Sequence, residues 1–346
     1  MSGTANGRVP PGAFPPPFHP ERWALNPHVQ TLAGKYLRPE PDLSLVRERW
    51  TTPDGDFLDV DFLQDSGGPV VLVLHGLEGH TRRRYMLSTF MALQEAGMVP
   101  VGLNFRSCSG EPNRTARAYH SGETADLGFV LERLRNRFPG RALAVVGFSL
   151  GGNMILKYLG ERGAGRAPSD APGPLPDAAV ALSVPYDLAA GADFLGRTLM
   201  GKLYNRYFLG SLLRKVRDKE HLLRDLVDLR ALYRTRTIRA FDNLLTAPVH
   251  GFRDADHYYA ECSARIYLGA IRTPTLLLHA TDDPFLPAEC IPLRAMSENP
   301  WLHPVVTDRG GHVGFVQGGI RRPRFWAETG VVRFLGAVLA GSGPGA

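Results

Sequence analysis

Ser149 stands between Gly147 and Gly151 in Gly147-Phe148-Ser149-Leu150-Gly151-Gly152-Asn153, and this spacing suits nucleophilic chemistry. An apolar strand, Leu143 to Val146, precedes the serine, and Met154, Ile155, Tyr158 and Leu159 recur at helical spacing after it. A serine on so sharp a strand-to-helix turn stands exposed at the top of a sheet and needs small neighbours. It also needs a base and a carboxylate to orient that base. His312, in Gly310-Gly311-His312-Val313-Gly314, has the small neighbours that let an imidazole reach across a sheet. Asp283 and Asp282 compete for the carboxylate role at the end of the strand Thr275–His279. Asp283, just before Pro284, is preferred, with Asp282 as a turn or supporting residue. For the oxyanion that acyl transfer develops, the candidate donors are the backbone N–H groups of Leu77 and Leu150. Leu77 follows His75-Gly76 at a strand end, and Leu150 opens the helix after the serine.

The elements that must position these groups are legible as alternating strands and helices. Val70–Leu74, Val99–Phe105, Leu143–Val146, Ala178–Ser183 and Thr275–His279 are apolar runs of the kind buried on both faces of a parallel sheet. Helices are predicted over Tyr85–Ala96, closed by Gly97, and over about Glu123–Phe138. Arg47 to Asp61 alternates like a hairpin about Asp54-Gly55. This pattern predicts a doubly wound, mainly parallel sheet, whose ligands bind outside the carboxyl ends of the strands. The chain order serine, aspartate, histidine, each after a predicted strand, is that of α/β-hydrolases. From about Ala189 to Cys262 the strand pattern stops, and Leu212, Leu213, Val216, Leu222, Leu223 and Leu226 recur at helical intervals, as in an inserted cap. The expected organisation is a Pro-rich disordered arm over 1–22, a core over 23–188 and 263–340, and a helical cap over 189–262. Residues 162–177, rich in Gly, Ala and Pro, read as a surface insertion.

Composition narrows the function classes. The 346 residues are 44% hydrophobic, enough for one large core, and no run of 18 apolar residues suggests a membrane span. Three cysteines, Cys108, Cys262 and Cys290, lack C-x-x-C spacing, which points to a reducing, cytoplasmic setting and away from a zinc knuckle. His75, Glu78 and His80 lack the i, i+4 helical pairing of a metal site, so neither a metal nor a cofactor is expected. Of the net charge of +6, Arg197 to Arg239 contributes an excess of eight, twelve Lys/Arg against four Asp/Glu, and the rest sums to −2. A solvated helix face is the simplest account, and peripheral contact with an anionic membrane through this basic cap is a secondary expectation. No nucleic-acid signature accompanies it. Arg106 and Asp126 are expected to anchor a polar loop network under the site, with Cys108 a buried thiol.

Several blocks resemble the YheT-like α/β-hydrolases: Asn26-Pro27-His28-Val29-Gln30-Thr31-Leu32, His75-Gly76-Leu77-Glu78-Gly79, Asn104 to Arg114, Tyr119 to Thr124, Gly147 to Asn153 and Gly310 to Phe315. The match extends from about Trp23 to Phe334. This group includes eukaryotic medium-chain acyl ester hydrolases and alcohol acyltransferases. The resemblance implies a serine carboxylester hydrolase for short- to medium-chain acyl esters, glycerides or phospholipids, with nucleophile, acid and base on Ser149, Asp283 and His312. An alcohol O-acyltransferase would use the same residues. A binding protein on the same scaffold is the rival from another class. Some eukaryotic relatives carry an N-terminal membrane anchor, and none is expected here.

Overall fold

Continuous apolar runs leave no polar face, so each of the inner strands must be covered by helices on both sides. A computed structural model describes residues 7–10, 12–165 and 173–340, and shows that arrangement. The strands are β1 (Val46–Thr51), β2 (Phe57–Phe62), β3 (Val70–Leu74), β4 (Val99–Asn104), β5 (Leu143–Phe148), β6 (Ala178–Leu182), β7 (Thr275–Ala280) and β8 (Leu302–Thr307). They form one sheet in the order β1-β2-β4-β3-β5-β6-β7-β8. β1 pairs antiparallel with β2, and β2 with β4, while every other pairing is parallel. A short ribbon, β9 (Val316–Gln317) with β10 (Arg324–Phe325), lies apart. Val70, Leu72 and Leu74 of β3 belong to one apolar cluster and Val71 and Val73 to the other, so alternate side chains of one strand fill both layers. This is an α/β-hydrolase sheet, doubly wound and mainly parallel.

The core helices are α1 (Pro27–Tyr36), α2 (Arg84–Glu95), α3 (Thr124–Arg137) and α4 (Leu150–Gly163). Asn26 starts α1: its Oδ1 accepts from the N–H groups of His28, at 2.9 Å, and Val29, at 3.3 Å, and Pro27 follows at the first helical position. Between β6 and β7 the described secondary structure is helical, beginning with α5 (Leu188–Phe194) and α6 (Leu199–Asp218). The short helices α7 (Glu220–Leu223), α8 (Leu229–Tyr233), α9 (Ile238–Phe241), α10 (Ala247–Val249) and α11 (Ala255–Cys262) follow. Leu209, Val216, Leu223, Leu232, Phe241 and Leu245 give this region a small apolar core of its own. Asn153 fixes its return to the sheet, donating to Ser121 O and Cys262 O at 2.8 Å and accepting from Ala264 N at 2.9 Å. After β7 come α12 (Leu293–Glu298) and α13 (Trp326–Leu339).

The N-terminal stretch departs from the expected disordered arm over 1–22. Its described residues lie on the core: Ala13 is fully buried, and the Phe18 ring sits 5.3 Å from Trp326 and 5.8 Å from Phe315. Trp326 Nε1 donates to Pro16 O at 2.7 Å. The prolines explain the difference, because they fix an extended backbone and carry no N–H that burial would orphan, so little entropy opposes docking. Of the Gly/Ala/Pro-rich insertion, 166–172 falls outside the described residues. No helix among the described residues is long and apolar enough to cross a membrane.

Candidate active site

The serine turn is built from what cannot fit. A Cβ on Gly147 would come within 2.6 Å of the Gly151 backbone, and one on Gly151 within 2.6 Å of His75 O. Between these contacts Ser149 takes φ 53°, ψ −116°, a conformation costly for a side-chain-bearing residue. Its N–H donates to Leu182 O at 2.8 Å, which pins the turn to β6. The result is a half-buried hydroxyl at the carboxyl end of β5, directly before α4.

His312 arrives from the loop after β8, and the structure brings it to the serine. His312 Nε2 lies 3.0 Å from Ser149 Oγ, and His312 Nδ1 lies 2.7 Å from Asp283 Oδ2. Asp283 is buried, and the Phe285 ring stacks on the imidazole at 4.4 Å. Asp282 points elsewhere: its Oδ1 accepts from Gly311 N at 2.9 Å, supporting the histidine loop, and burial raises its pKa. The competition between the two aspartates is therefore resolved by geometry in favour of Asp283 as the neighbour of His312. The Asn26–Leu32 block holds this loop from the other side. Thr31 Oγ1 accepts from His312 N at 3.0 Å, and Gln30 Oε1 accepts from Val316 N at 2.7 Å. A single helix turn thus sets the height of the imidazole above the sheet.

In the loop after β3 the amides on either side of Leu77 are fixed. Tyr85 Oη accepts from Gly76 N at 3.0 Å, Tyr119 Oη accepts from Glu78 N at 2.9 Å, and Gly79 N donates to Gly76 O at 3.0 Å. The Leu77 N–H between them, and the Leu150 N–H at the start of α4, donate to no acceptor among the described residues. A Cβ on Gly76 would approach Ser149 Cβ to 3.2 Å, so this loop passes directly beside the serine. Below it, the buried Arg106 guanidinium pairs with Asp126 at 2.7 Å, Asp54 at 2.8 Å and Asp56 at 3.0 Å. Asp56 is held well below the ordinary carboxylate range: burial works against this, and hydrogen bonds from Asn113, Thr115 and the Arg114 amide outweigh it.

Sequence reasoning missed the network joining core to cap. Glu78 Oε1 accepts from Tyr119 Oη at 2.6 Å and from Lys215 Nζ of α6 at 2.7 Å, and Ser211 bonds the other oxygen. Lys215 also lies 3.0 Å from Cys108 Sγ, a thiol that burial pushes up to about 11. Lys219 Nζ donates to Asn113 Oδ1 at 2.8 Å and Arg117 O at 2.7 Å, and burial lowers its pKa to about 8. The partners that α6 finds in the core are more than 100 residues away in the chain, beyond the reach of any local pattern. His120, Glu123 and His250 also gather within 4.8 Å. Their donors are largely committed, since Gly122 N donates to His120 Nδ1 at 3.1 Å and Arg117 pairs with Glu123 at 2.7 Å.

The buried histidines carry a prediction about stability. Burial lowers His75 and His120 to about 3, and His80 and His279 to about 4. Their unfolded pKa is about 6.5, so below that pH the unfolded chain binds protons that the native state refuses. Stability is then present above about pH 6.5 and lost as pH falls toward 4, by roughly 1.4 kcal/mol per pH unit for each histidine. Asp126 and Asp242, which burial raises to about 6, act in the opposite sense over about pH 4–6. With His250, lowered to about 2, and His303, also lowered, six histidines outnumber the three raised carboxyls Asp126, Asp242 and Asp282, so urea midpoints should fall between pH 7 and pH 5. A midpoint that stays level or rises would contradict this balance.

Above the serine, a cavity of about 780 Å³ opens between sheet and cap. Leu77, Tyr204, Phe208, Leu245, Phe285 and Leu286 are among its lining residues. A mostly apolar cleft ending on a hydroxyl, an imidazole and two free amides suits an ester with an apolar acyl chain.

Comparison with known proteins places this arrangement. The family model described as alpha/beta hydrolase fold matches residues 69–318. YheT of Escherichia coli strain K12, which carries an esterase name, is 37% identical over 93% of this chain and 94% of its own length. Phospholipase ABHD3 of Mus musculus is 31% identical over 87% and 74% of the two chains. Monoacylglycerol lipase of Saccharomyces cerevisiae is 33% identical over 84% and 63%. The solved structure of the Pyrococcus furiosus esterase Pf2001 superposes with a TM-score of 0.55 at 16% identity, covering 94% of this chain and 98% of that one, a likeness of fold.

Proposed function

The chain belongs to the alpha/beta hydrolase family, in its YheT-like group, and is an esterase- or lipase-like hydrolase; on that premise we propose that it cleaves short- to medium-chain acyl esters, such as glycerides, through an acyl-enzyme on Ser149. The observation that carries this reading is the relay Ser149 Oγ–His312 Nε2 at 3.0 Å and His312 Nδ1–Asp283 Oδ2 at 2.7 Å, on the wall of an apolar cavity.

In this mechanism Ser149 Oγ attacks the ester carbonyl while His312 Nε2 takes its proton. Asp283 holds the Nδ1–H tautomer and stabilises the imidazolium. The carbonyl oxygen, now an oxyanion, receives the Leu77 and Leu150 N–H groups. Collapse of the tetrahedral intermediate breaks the ester C–O bond, and His312 returns the proton to the leaving alkoxide. Water then enters, loses a proton to His312 and releases the acid, restoring the Ser149 hydroxyl. An alcohol in place of that water would make the protein an acyltransferase, with the same residues in the same roles. We further read 23–188 and 263–340 as the core that holds these groups and 189–262 as the cap that roofs them. The setting we propose is cytoplasmic, in keeping with three unpaired thiols at Cys108, Cys262 and Cys290.

The test is hydrolysis of aryl esters graded from acetyl to palmitoyl, with and without added ethanol. The cavity volume falls within the range of about 300–1,000 Å³ that encloses a drug-sized ligand, so the rate is expected to peak at medium chain length. Acid is expected as the main product with ethanol present. A predominance of ethyl ester would move the reading to acyl transfer, and no turnover at any length would remove the proposed substrate class.

A further inference from the structure

The outer faces of α1 and α6 carry large apolar residues that neither helix buries. On α6, Gly201, Asn205, Leu209 and Val216 face inward, which leaves Leu199, Lys202, Leu203, Arg206 and Tyr207 as a stripe on the opposite side. Leu199 is 77% exposed, Leu203 53% and Tyr207 49%. On α1, Gln30, Ala33 and Gly34 face inward, and Leu32 and Tyr36 face out, Tyr36 at 58% exposed.

The two stripes meet. Lys35 Nζ stands 4.4 Å from the centre of the Tyr207 ring, and the His28 ring stacks on Tyr204 at 5.8 Å. Together they form part of the rim of the cavity, whose lining includes Leu32, Lys35, Tyr36, Leu203 and Tyr207. Glu40 on the same rim is paired with Arg84 at 2.9 Å, and the unpaired charges are basic. Arg82, Lys202 and Arg206 have no acidic partner among the described residues, and α6 carries no acid until Asp218. Apolar residues interleaved with lysine and arginine on an exposed helix are the composition of a segment that lies in a membrane interface.

We propose that the joined outer faces of α1 and α6 dock on an anionic lipid bilayer, so that the cavity mouth opens against the membrane. Leu32, Tyr36, Leu199, Leu203 and Tyr207 enter the boundary between headgroups and acyl chains, while Lys35, Lys202 and Arg206 meet headgroup phosphates. This choice of occupant follows from charge: a second copy would bring the same unpaired cations face to face, whereas an anionic surface neutralises them. The inference rests on the ester-hydrolase reading only for what would pass through the mouth. The contact itself is a property of the face.

The experiment is co-sedimentation of the full chain with phosphatidylcholine vesicles, with and without phosphatidylglycerol, beside hydrolysis of a water-soluble aryl acetate. The probe variant is Leu199→Asp/Lys202→Glu/Arg206→Glu, three exposed residues outside the cavity lining. Each basic residue at an anionic surface is worth about fivefold in partitioning. The parent should therefore bind the phosphatidylglycerol vesicles at least ~10-fold better than neutral ones, and less well at high salt. The triple variant should lose at least ~10-fold of that binding and keep its aryl acetate rate. The milder Lys202→Gln/Arg206→Gln should fall between the two. Binding that ignores lipid charge, or that survives the triple substitution, overturns the proposal. So does a parent that leaves vesicles in solution and sediments as a dimer which the triple variant breaks. Charge-dependent binding without aryl acetate turnover upholds the docking face and sinks the esterase reading instead.

Discussion

Replacing Ser149 with alanine is expected to lower kcat for ester hydrolysis by about 10⁴- to 10⁶-fold, the range seen when a triad nucleophile is removed. The Leu77 and Leu150 N–H groups and the cavity remain in the variant, so in the proposed mechanism binding and polarisation persist and only the covalent route is lost. Fold should not suffer, because among the described residues the hydroxyl's one hydrogen bond is to His312 and the turn is held by backbone. Ser149→Gly sharpens the expectation. At φ 53°, ψ −116° a side chain costs about 1–3 kcal/mol, and glycine removes that strain against an entropic cost of about 0.5–1 kcal/mol. The glycine variant should be as inactive as the alanine one and melt about 1–2 °C higher. Alanine, which keeps the Cβ, should melt near the parent. Turnover within about tenfold of the parent in either variant would exclude Ser149 as the nucleophile. Equal melting temperatures for the two would mean the turn stores no strain.

How far the site could be read in advance depended on whether each determinant was local. Ser149 and His312 were legible because small residues beside them serve a purpose that spacing alone reveals, and a Cβ on Gly147, Gly151 or Gly311 would strike backbone. The inner strands were legible because a run such as Val70–Leu74 leaves no face for water. Asp282 and Asp283 are neighbours in one turn, and which carboxylate faces the histidine depends on the backbone path between Ala280 and Phe285. The clasp of Gln30 and Thr31 on the His312 loop joins residues more than 280 apart. Glu78 illustrates the same limit: read as one member of a His-Glu-His trio, it lies at φ 55° bonded to Tyr119 and Lys215, tying the loop after β3 to the cap. The docking of the described part of the N-terminal stretch was not legible, because composition rich in proline describes a disordered arm and a docked extended strap equally well. Its docking was decided by an apolar surface on α13 and the adjoining loop, formed by Phe315 and Trp326.

Asp283→Asn and Asp282→Asn should separate widely although the residues are adjacent and the changes identical. In Asp283→Asn the Oδ2 that receives the Nδ1 proton of His312 at 2.7 Å can be replaced by an amide donor, which favours the wrong tautomer and leaves the imidazolium unstabilised. For serine proteases the corresponding change costs about 10⁴ in kcat, and a similar loss is expected here, with KM nearly unchanged. Asp282 contributes differently. Its Oδ1 accepts from the Gly311 amide, a bond an asparagine carbonyl can also make, and its other oxygen is buried without a partner among the described residues. Burial already disfavours its charge, so neutralising it removes a strained group more than a functional one. Less than about tenfold loss in kcat is expected, with stability level or slightly raised. If the order of the two effects were reversed, the loop after β7 would have to turn during turnover, and the carboxylate facing His312 in this structure would not be the one that serves it.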